Sequence, residues 1–370
     1  MATDSATGGG NQARAVLQRI WRSASVPLVA VLLGALIGAV LLLFSGVNPL
    51  DAYGALIDGA FGSPQAFQRT LEKATPLIFS GLAVAFAFKA GLFNIGAQGQ
   101  LIIGAIVAAY VGLSLDGLPA IIHVPLALMA GGLAGALYGF IPGALKAFTG
   151  AHEVIVTIML NYVAYNITNY LVNGPWKDPS PTNVVARTAR ILPSAELPII
   201  GNVPIGFIVA LIAAVIVWWV LYRTTLGYEI RTVGLNPSAA QYAGIRVAQM
   251  IILSMMISGF LAGFGGSVET LGIVRRYEPG FNIGLGFDGI TVALLGKTSP
   301  FGVIPAALLL GAMRAGSNVM QLEAGVAKEI IDIITAFILF FVAADVIVKW
   351  IIRQRESDDD KVILSKGWGG

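Results

Sequence analysis

Long apolar runs constrain this chain more than any other feature. Crossing a bilayer takes about 20 mostly apolar residues in one helix. Candidate runs lie at 26–44, 74–89, 99–115, 123–146, 153–172, 204–222, 248–272, 284–296, 301–317 and 329–348. The run at 284–296 is short and is predicted to enter only partway. Among 370 residues, 56% are hydrophobic and 12% charged, too little charge to cover a water-soluble protein of this size. Disorder is excluded as well, since it needs low hydrophobicity and high charge. The predicted fold is all-α: a polytopic membrane protein of about ten transmembrane helices. The 45 glycines suit it, because glycine lets such helices approach closely.

Basic residues orient the spans. Arg14, Arg19 and Arg22 precede the first, Arg223, Arg231 and Arg246 follow the sixth, and Lys349, Arg353 and Arg355 follow the last. An even number of crossings puts all three groups on the cytoplasmic side, with both termini. The opposite loops carry Asp51, Asp58, Glu72, Asp116, Asp178 and Glu196, alongside Arg69, Lys73, Arg187, Arg190, Arg275 and Arg276. The predicted organisation is a cytoplasmic segment 1–25, a transmembrane region 26–348 and a charged cytoplasmic tail 349–370. A Pro-rich external connection spans 173–203, and the longest internal one spans 223–247. No signal peptide is evident; the first apolar run is long enough to remain as an anchor. Phe-Asn-Ile-Gly occurs at 93–96 and 281–284, each copy leading into an apolar run. Transporters are often built from inverted repeats with broken helices at matching positions, so a pseudo-symmetric internal repeat is expected.

Several chemistries lack residues to carry them. There is no cysteine and only two histidines, His123 and His152, so neither a thiolate nor a histidine-rich metal centre is expected. His152-Glu153 begins a zinc-protease pattern, but Val156 stands where the second histidine belongs. Gly296-Lys297-Thr298 ends like a phosphate-binding loop, but the required earlier glycine is Thr291. There is no Gly-x-Ser-x-Gly elbow. An enzyme reading has no motif behind it. A net charge of +3 with scattered basic residues does not point to nucleic acid.

Polar residues inside the apolar runs do carry chemistry. Lys89 to Gln100 holds Asn94, Gln98, Gln100 and three glycines. Irregular backbone at membrane depth is tolerated where it lines a cavity or is buried in protein. The segment reads either as a broken helix whose amides face a polar pathway, or as a loop whose amides bond to backbone. On 153–172, Asn166, Asn169 and Asn173 share one helical face by their 3 and 4 spacing, and Asn161 falls off it. That face is not expected to meet lipid: it lines the pathway or, as the default, joins helices. Glu153 reads as a carboxylate favoured by a helix N-terminus. Asp288 is a pathway candidate or an N-terminal cap. Glu269, inside the seventh run, has no capping role and is the stronger pathway candidate. In 223–247, Asn236 suits an N-cap, Pro237 the first helical position and Gly244 the residue past the end. These predict a helix of about two turns, too short to be stable alone; it reads either as a helix that needs a partner surface or as a loop helix packed on its own protein.

The pattern Gly227, Arg231, Gly234, Asn236, Ala239, Ala240, Gly244, Ile245 resembles the coupling-helix loop of ATP-binding-cassette importer permeases, in the branch that serves branched-chain amino acids, simple sugars and nucleosides. Gly91 to Gly96 is similar to that family's early signature. Gly289 to Lys297 and the Gly302–Gly311 helix are similar to its late one. Together these cover about residues 75–345. His152 to Tyr162 and the stretch near Asn173-Gly174-Pro175-Trp176 resemble the nucleoside type most. The resemblance implies a second permease subunit, identical or homologous, two cytoplasmic ATPases and an external substrate-binding protein, often a lipoprotein. The chain itself is then expected to hold no cofactor, with ATP and Mg bound by the ATPase. It implies a multi-pass protein of the bacterial plasma membrane, among lipid, importing a small polar solute. Nucleosides come first; simple sugars and branched-chain amino acids remain alternatives, and an ion-coupled secondary transporter is the rival class. The small Ala239 and Ala240 are expected to seat the loop helix in the ATPase. Arg275, Arg276 and Glu278 read equally as ordinary solvated charges or as rim charges near the docked binding protein, since such charges orient partners.

Overall fold

The computed structural model describes Ser25 and residues 28–180, 184–280 and 284–343. Segment 1–25 apart from Ser25, the tail 349–370, and the first three residues of the second Phe-Asn-Ile-Gly copy lie outside the described residues. So do the ends of the first and last predicted spans, at 26–27 and 344–348, with the basic clusters at 14–22 and 349–355.

The described residues are predominantly helical, with one two-stranded hairpin. In chain order they form α1 (Leu28–Phe44), α2 (Pro49–Phe61), α3 (Pro64–Lys89), α4 (Ala97–Ser114), α5 (Ala120–Thr149), α6 (Glu153–Asn173), α7 (Ile205–Arg223), α8 (Thr225–Leu235), α9 (Pro237–Tyr242), α10 (Val247–Glu269), α11 (Leu285–Leu295), α12 (Pro300–Ala324) and α13 (Lys328–Ala343). A π-helical turn, Thr270–Val274, continues α10. Seven of these are long and apolar enough to cross a membrane: α3, α4, α5, α6, α7, α10 with its π turn, and α12. The apolar α1, α11 and α13 are shorter.

Two features depart from the sequence reading. Helix α2 was not expected, because Pro49–Phe61 mixes Asp51 and Asp58 with apolar residues and never forms a long run. Helix α3 begins at Pro64, ten residues before the predicted span. Its start signal is ordinary: the Ser63 side chain accepts a hydrogen bond from the Ala66 N–H, and Pro64 occupies the first helical position.

Residues 54–319 form one compact unit. Helix α3 is its most enclosed span, with 83% of its most apolar window buried. It packs against α10, α11 and α7, and α10 packs in turn on α4 and α5. The α5–α10 contact is a glycine seam. Gly131, Gly135, Gly139 and Gly143 recur every fourth residue on α5, facing Gly259, Gly263 and Met255 of α10. A Cβ added at Gly139 would stand 2.5 Å from the Met255 carbonyl oxygen, and one at Gly135 would overlap the Gly259 carbonyl oxygen. Two backbones approach this closely only where neither has a side chain.

The 173–203 connection is pinned down rather than loose. Trp176 stacks on Tyr110 at 4.2 Å between ring centres. Backbone N–H groups of Ile191, Leu192 and Leu197 donate to the carbonyls of Arg275, Gly112 and Leu271 at 2.9–3.0 Å. Ser194 meets the buried His123 ring at 2.9 Å. A two-stranded antiparallel hairpin closes it, β1 (Ile199–Ile200) on β2 (Val203–Pro204), with Ile200 opposite Val203.

Residues up to 53 and from 320 on form a second unit. There α1 lies on α13: the Tyr53 hydroxyl donates to the Ala35 carbonyl at 2.6 Å, and Gly34 leaves room for Ile338.

Candidate functional site

The break between α3 and α4 is built from amides. Asn94, Gln98 and Gln100 are 1%, 0% and 1% exposed, which leaves none of them facing an opening in this structure. The Asn94 Nδ2 donates to Gln100 Oε1 and to Ser258 Oγ, both at 2.8 Å, and Ser258 donates onward to the Ala83 carbonyl at 2.7 Å. Asn161 reaches in from α6: its Oδ1 accepts from the Gly99 N–H at 2.7 Å, and its Nδ2 donates to the Ile95 carbonyl at 3.0 Å. Gln98 Oε1 accepts from the Gly286 N–H at 2.7 Å. Broken backbone at membrane depth must be satisfied internally. Here the Asn161 side chain from α6 and the Gln98 side chain bond backbone on either side of the break, while Asn94, Gln100 and Ser258 bond one another. The helix is broken, as the first sequence reading has it, and the amides close on backbone and on one another, as the second has it; none of the three amides lines an opening within this chain.

Asp288 sits in the first turn of α11, but Gly284 holds the cap position, which corrects the capping alternative. The carboxylate pairs instead with Arg314 of α12. Arg314 was passed over in the sequence, though a lone arginine in an apolar run is the signal for such a pairing. Glu269 ends α10 and is 5% exposed. Its Oε2, like the Thr270 hydroxyl, has no hydrogen-bond partner among the described residues, and Lys73 and Arg314 are the cations whose charge it feels. Glu153 starts α6 as expected and pairs with Lys146 at 3.0 Å.

The 223–247 connection holds two helices where one was predicted. Thr224 caps α8 by accepting from the Gly227 N–H at 3.1 Å. Asn236 then accepts from the Ala239 N–H at 3.0 Å and starts α9, with Pro237 at the first position. Gly244 lies past the end with φ +83°, a conformation that favours glycine. The capping prediction for 236–244 is thus met residue by residue. Ala240 is a correction. It is fully buried within this chain, so it cannot seat in a partner. Gly234 lies against the Lys89 carbonyl, Gly227 against that of Val220, and the Arg231 guanidinium stacks over Tyr222 at 5.0 Å. These residues hold the loop to its own protein. Of the predicted coupling residues Asn236, Ala239 and Gly244 are exposed, and the most exposed large side chain of the loop is one the sequence reading missed, Tyr242 at 96%. An aromatic ring in a polar loop was the available signal.

Arg275 ends the π turn in a left-handed conformation, φ 60°. Its Nε lies 3.2 Å from Glu196, which also holds Arg190 at 2.9 Å. Arg276 and Glu278 are half-buried beside it. Between them Tyr277 is buried, and burial pushes its hydroxyl up to about 12. On α6, Asn166, Asn169 and Asn173 point away from the protein: all three are exposed. They do not join helices of this chain, which corrects the default reading of that face.

Residues 67–343 match the family described as the branched-chain amino acid transport system / permease component. The chain belongs to this family. As a family permease it is a multi-pass membrane protein, in keeping with its seven long apolar helices. It is 45% identical to a guanosine ABC transporter permease of Bacillus subtilis, over 89% of this chain and 95% of that one. It is 39% identical to a nucleoside ABC transporter permease of Lactococcus lactis, over 91% and 95%. A glucose ABC transporter permease of Haloferax volcanii is 33% identical, over 87% of each chain.

Proposed function

We propose that this permease is the membrane subunit of an ATP-driven importer of nucleosides. The observation that carries the cargo is the pair of relatives named for guanosine and nucleosides, at 45% and 39% identity over nearly the full length of both chains. The relative named for glucose, at 33%, supports simple sugars as the second reading. A nucleoside is neutral and rich in hydrogen-bonding groups, so an uncharged polar route serves it and no counter-ion is needed.

In this reading the chain spans the membrane of a bacterial cell about ten times, with α11 entering partway and both termini cytoplasmic. Its halves are related by a pseudo-symmetric repeat. Supporting that repeat, Gln98 and Gly286, each the second residue of the helix that follows its copy, are joined by a 2.7 Å hydrogen bond. A second permease subunit, identical or homologous, completes the route. Glu269 and Asp288 lie beside it. Helices α8 and α9 dock on a separate ATPase that binds ATP and Mg, with Ala239 and Tyr242 at the contact. An external binding protein, lipid-anchored or free, delivers cargo near Arg275, Arg276 and Glu278.

The test is uptake of labelled guanosine by membrane vesicles of cells expressing the full transporter. Uptake should require ATP, survive collapse of proton and sodium gradients, and be competed by unlabelled nucleosides but not by glucose. Competition by glucose alone would transfer the assignment to sugars. Uptake that follows an ion gradient without ATP would end the importer reading.

A further inference from the structure

Helix α6 is the least enclosed of the seven long apolar helices, with 22% of its most apolar window buried. Thr157, Asn161, Ala164, Thr168 and Val172 form its inward face. On the far side Tyr162, Asn166, Asn169 and Asn173 follow at intervals of four, three and four, and so lie in one stripe. Tyr170 flanks it; Tyr162 and Tyr170 are 60% and 71% exposed. About 100° and 140° further round from Tyr162 lie Val163 and Ile167, an apolar outer face suited to lipid.

Asn166 stands seven residues from the end of a 21-residue helix, about 10 Å inside at 1.5 Å per residue. If α6 spans the roughly 30 Å hydrocarbon core, that depth lies inside it. Its Nδ2 donates to the Tyr162 carbonyl at 2.8 Å, and the Asn173 Nδ2 to the Asn169 carbonyl at 2.8 Å. Each amide keeps a carbonyl oxygen and a second N–H for something outside the chain. Lipid tails offer those groups nothing.

We infer that the stripe Tyr162, Asn166, Asn169, Asn173 is the wall along which the nucleoside passes, facing water and cargo between two permease subunits. This rests on the nucleoside-importer reading above. The chemistry is matched: the Tyr162 ring stacks on the flat base, and amides offer one donor and one acceptor apiece to base edges and ribose hydroxyls. Spread over some three turns, these contacts are separate and weak, so a solute moves from one to the next instead of being held.

The chain has no cysteine, so single cysteines report cleanly. Asn169→Cys and Ile167→Cys are made in the full transporter and treated in membranes with a charged, membrane-impermeant thiol reagent added to both sides. Asn169→Cys should be labelled and guanosine should slow the labelling; Ile167→Cys, on the lipid flank, should stay unlabelled until the membrane is dissolved. Labelling should cut ATP-driven guanosine uptake by Asn169→Cys at least tenfold, and Asn169→Leu should lose as much with normal membrane levels. Asn169→Cys that is not labelled in intact membranes, or that is labelled with no loss of uptake, overturns the inference. Failure of the unsubstituted transporter to import guanosine would overturn the cargo assignment instead, and the labelling contrast between positions 169 and 167 would still decide the stripe.

Discussion

Asn161 and Asn166 lie five residues apart on one helix and do opposite things. Asn161 is 3% exposed and spends its amide on the broken backbone before α4. Asn166 is exposed and bonds only to its own helix within the chain. The same contrast runs through the molecule. The α5–α10 seam and the amide network around Asn94 are internally satisfied and hold the fold. The stripe on α6 and the tip at Tyr242 are exposed surfaces. Residue type does not separate the two classes; closure of the hydrogen bonds and burial do.

The sharpest way to break the contrast is at the seam. Gly135→Leu drives a side chain into the Gly259 carbonyl, and neither backbone can yield without opening the α5–α10 contact. Overpacking costs about 1–3 kcal/mol, more where backbone must move. We expect almost no folded protein in the membrane, read as loss of a monodisperse peak after detergent extraction. A well-folded Gly135→Leu protein would show that the seam is looser than its geometry.

Next comes Asn94→Leu. On the sequence alone this change should cost uptake and spare assembly. The structure revises that, because Leu would strand the Gln100 amide at 1% exposure, while Ser258 would keep only its bond to the Ala83 carbonyl. A buried polar group left without a partner costs about 1–3 kcal/mol. Thermal unfolding in detergent should shift down by several degrees, with uptake falling in step. Loss of uptake with an unchanged melting temperature would return Asn94 to the pathway class.

What could be read in the sequence follows the same division. The apolar runs gave the helices, since the bilayer imposes a length on them, and the Asn236-Pro237 start and Gly244 stop were met because capping is local chemistry. Helix α2 was not legible, because Asp51 and Asp58 interrupt its hydrophobic pattern. Ala240 was misjudged, since six residues are too few for a face to declare itself. The pairing of Asp288 with Arg314 and of Asn94 with Ser258 joins residues 26 and 164 positions apart, which no spacing reveals. The stripe on α6 was legible as a stripe; its direction was not.

Tyr242→Ala tests the other exposed surface. The ring is 96% exposed, so removing it should change stability by less than about 0.5 kcal/mol. If α9 seats in an ATPase, co-purification of that subunit should fall several-fold and guanosine uptake with it, while membrane levels hold. Unchanged co-purification would place Tyr242 among solvated loop residues and leave α8 and α9 as internal structure.

The smallest effect is expected at Arg275, which stands between the two classes. Its Nε is 3.2 Å from Glu196, yet its side chain is 38% exposed. Exposed ion pairs are worth about 0–1 kcal/mol, and Arg190 keeps its own contact with Glu196 at 2.9 Å. Arg275→Glu should therefore lower the melting temperature by a degree or two, because it sets one carboxylate against another. Salt should shrink that difference, since charges more than about 10 Å apart are largely screened at 0.1 M and half-exposed pairs are weakened. The main chain should not respond. The Ile191 N–H bonds the Arg275 carbonyl at 3.0 Å, a contact that does not depend on the side chain. Docking is the separate readout. If this rim orients an external binding protein, Arg275→Glu should weaken its association far more at low salt than its small stability cost explains. A melting shift without any docking change would assign Arg275 wholly to the pinning of the 184–204 segment, with the closed class rather than the open one.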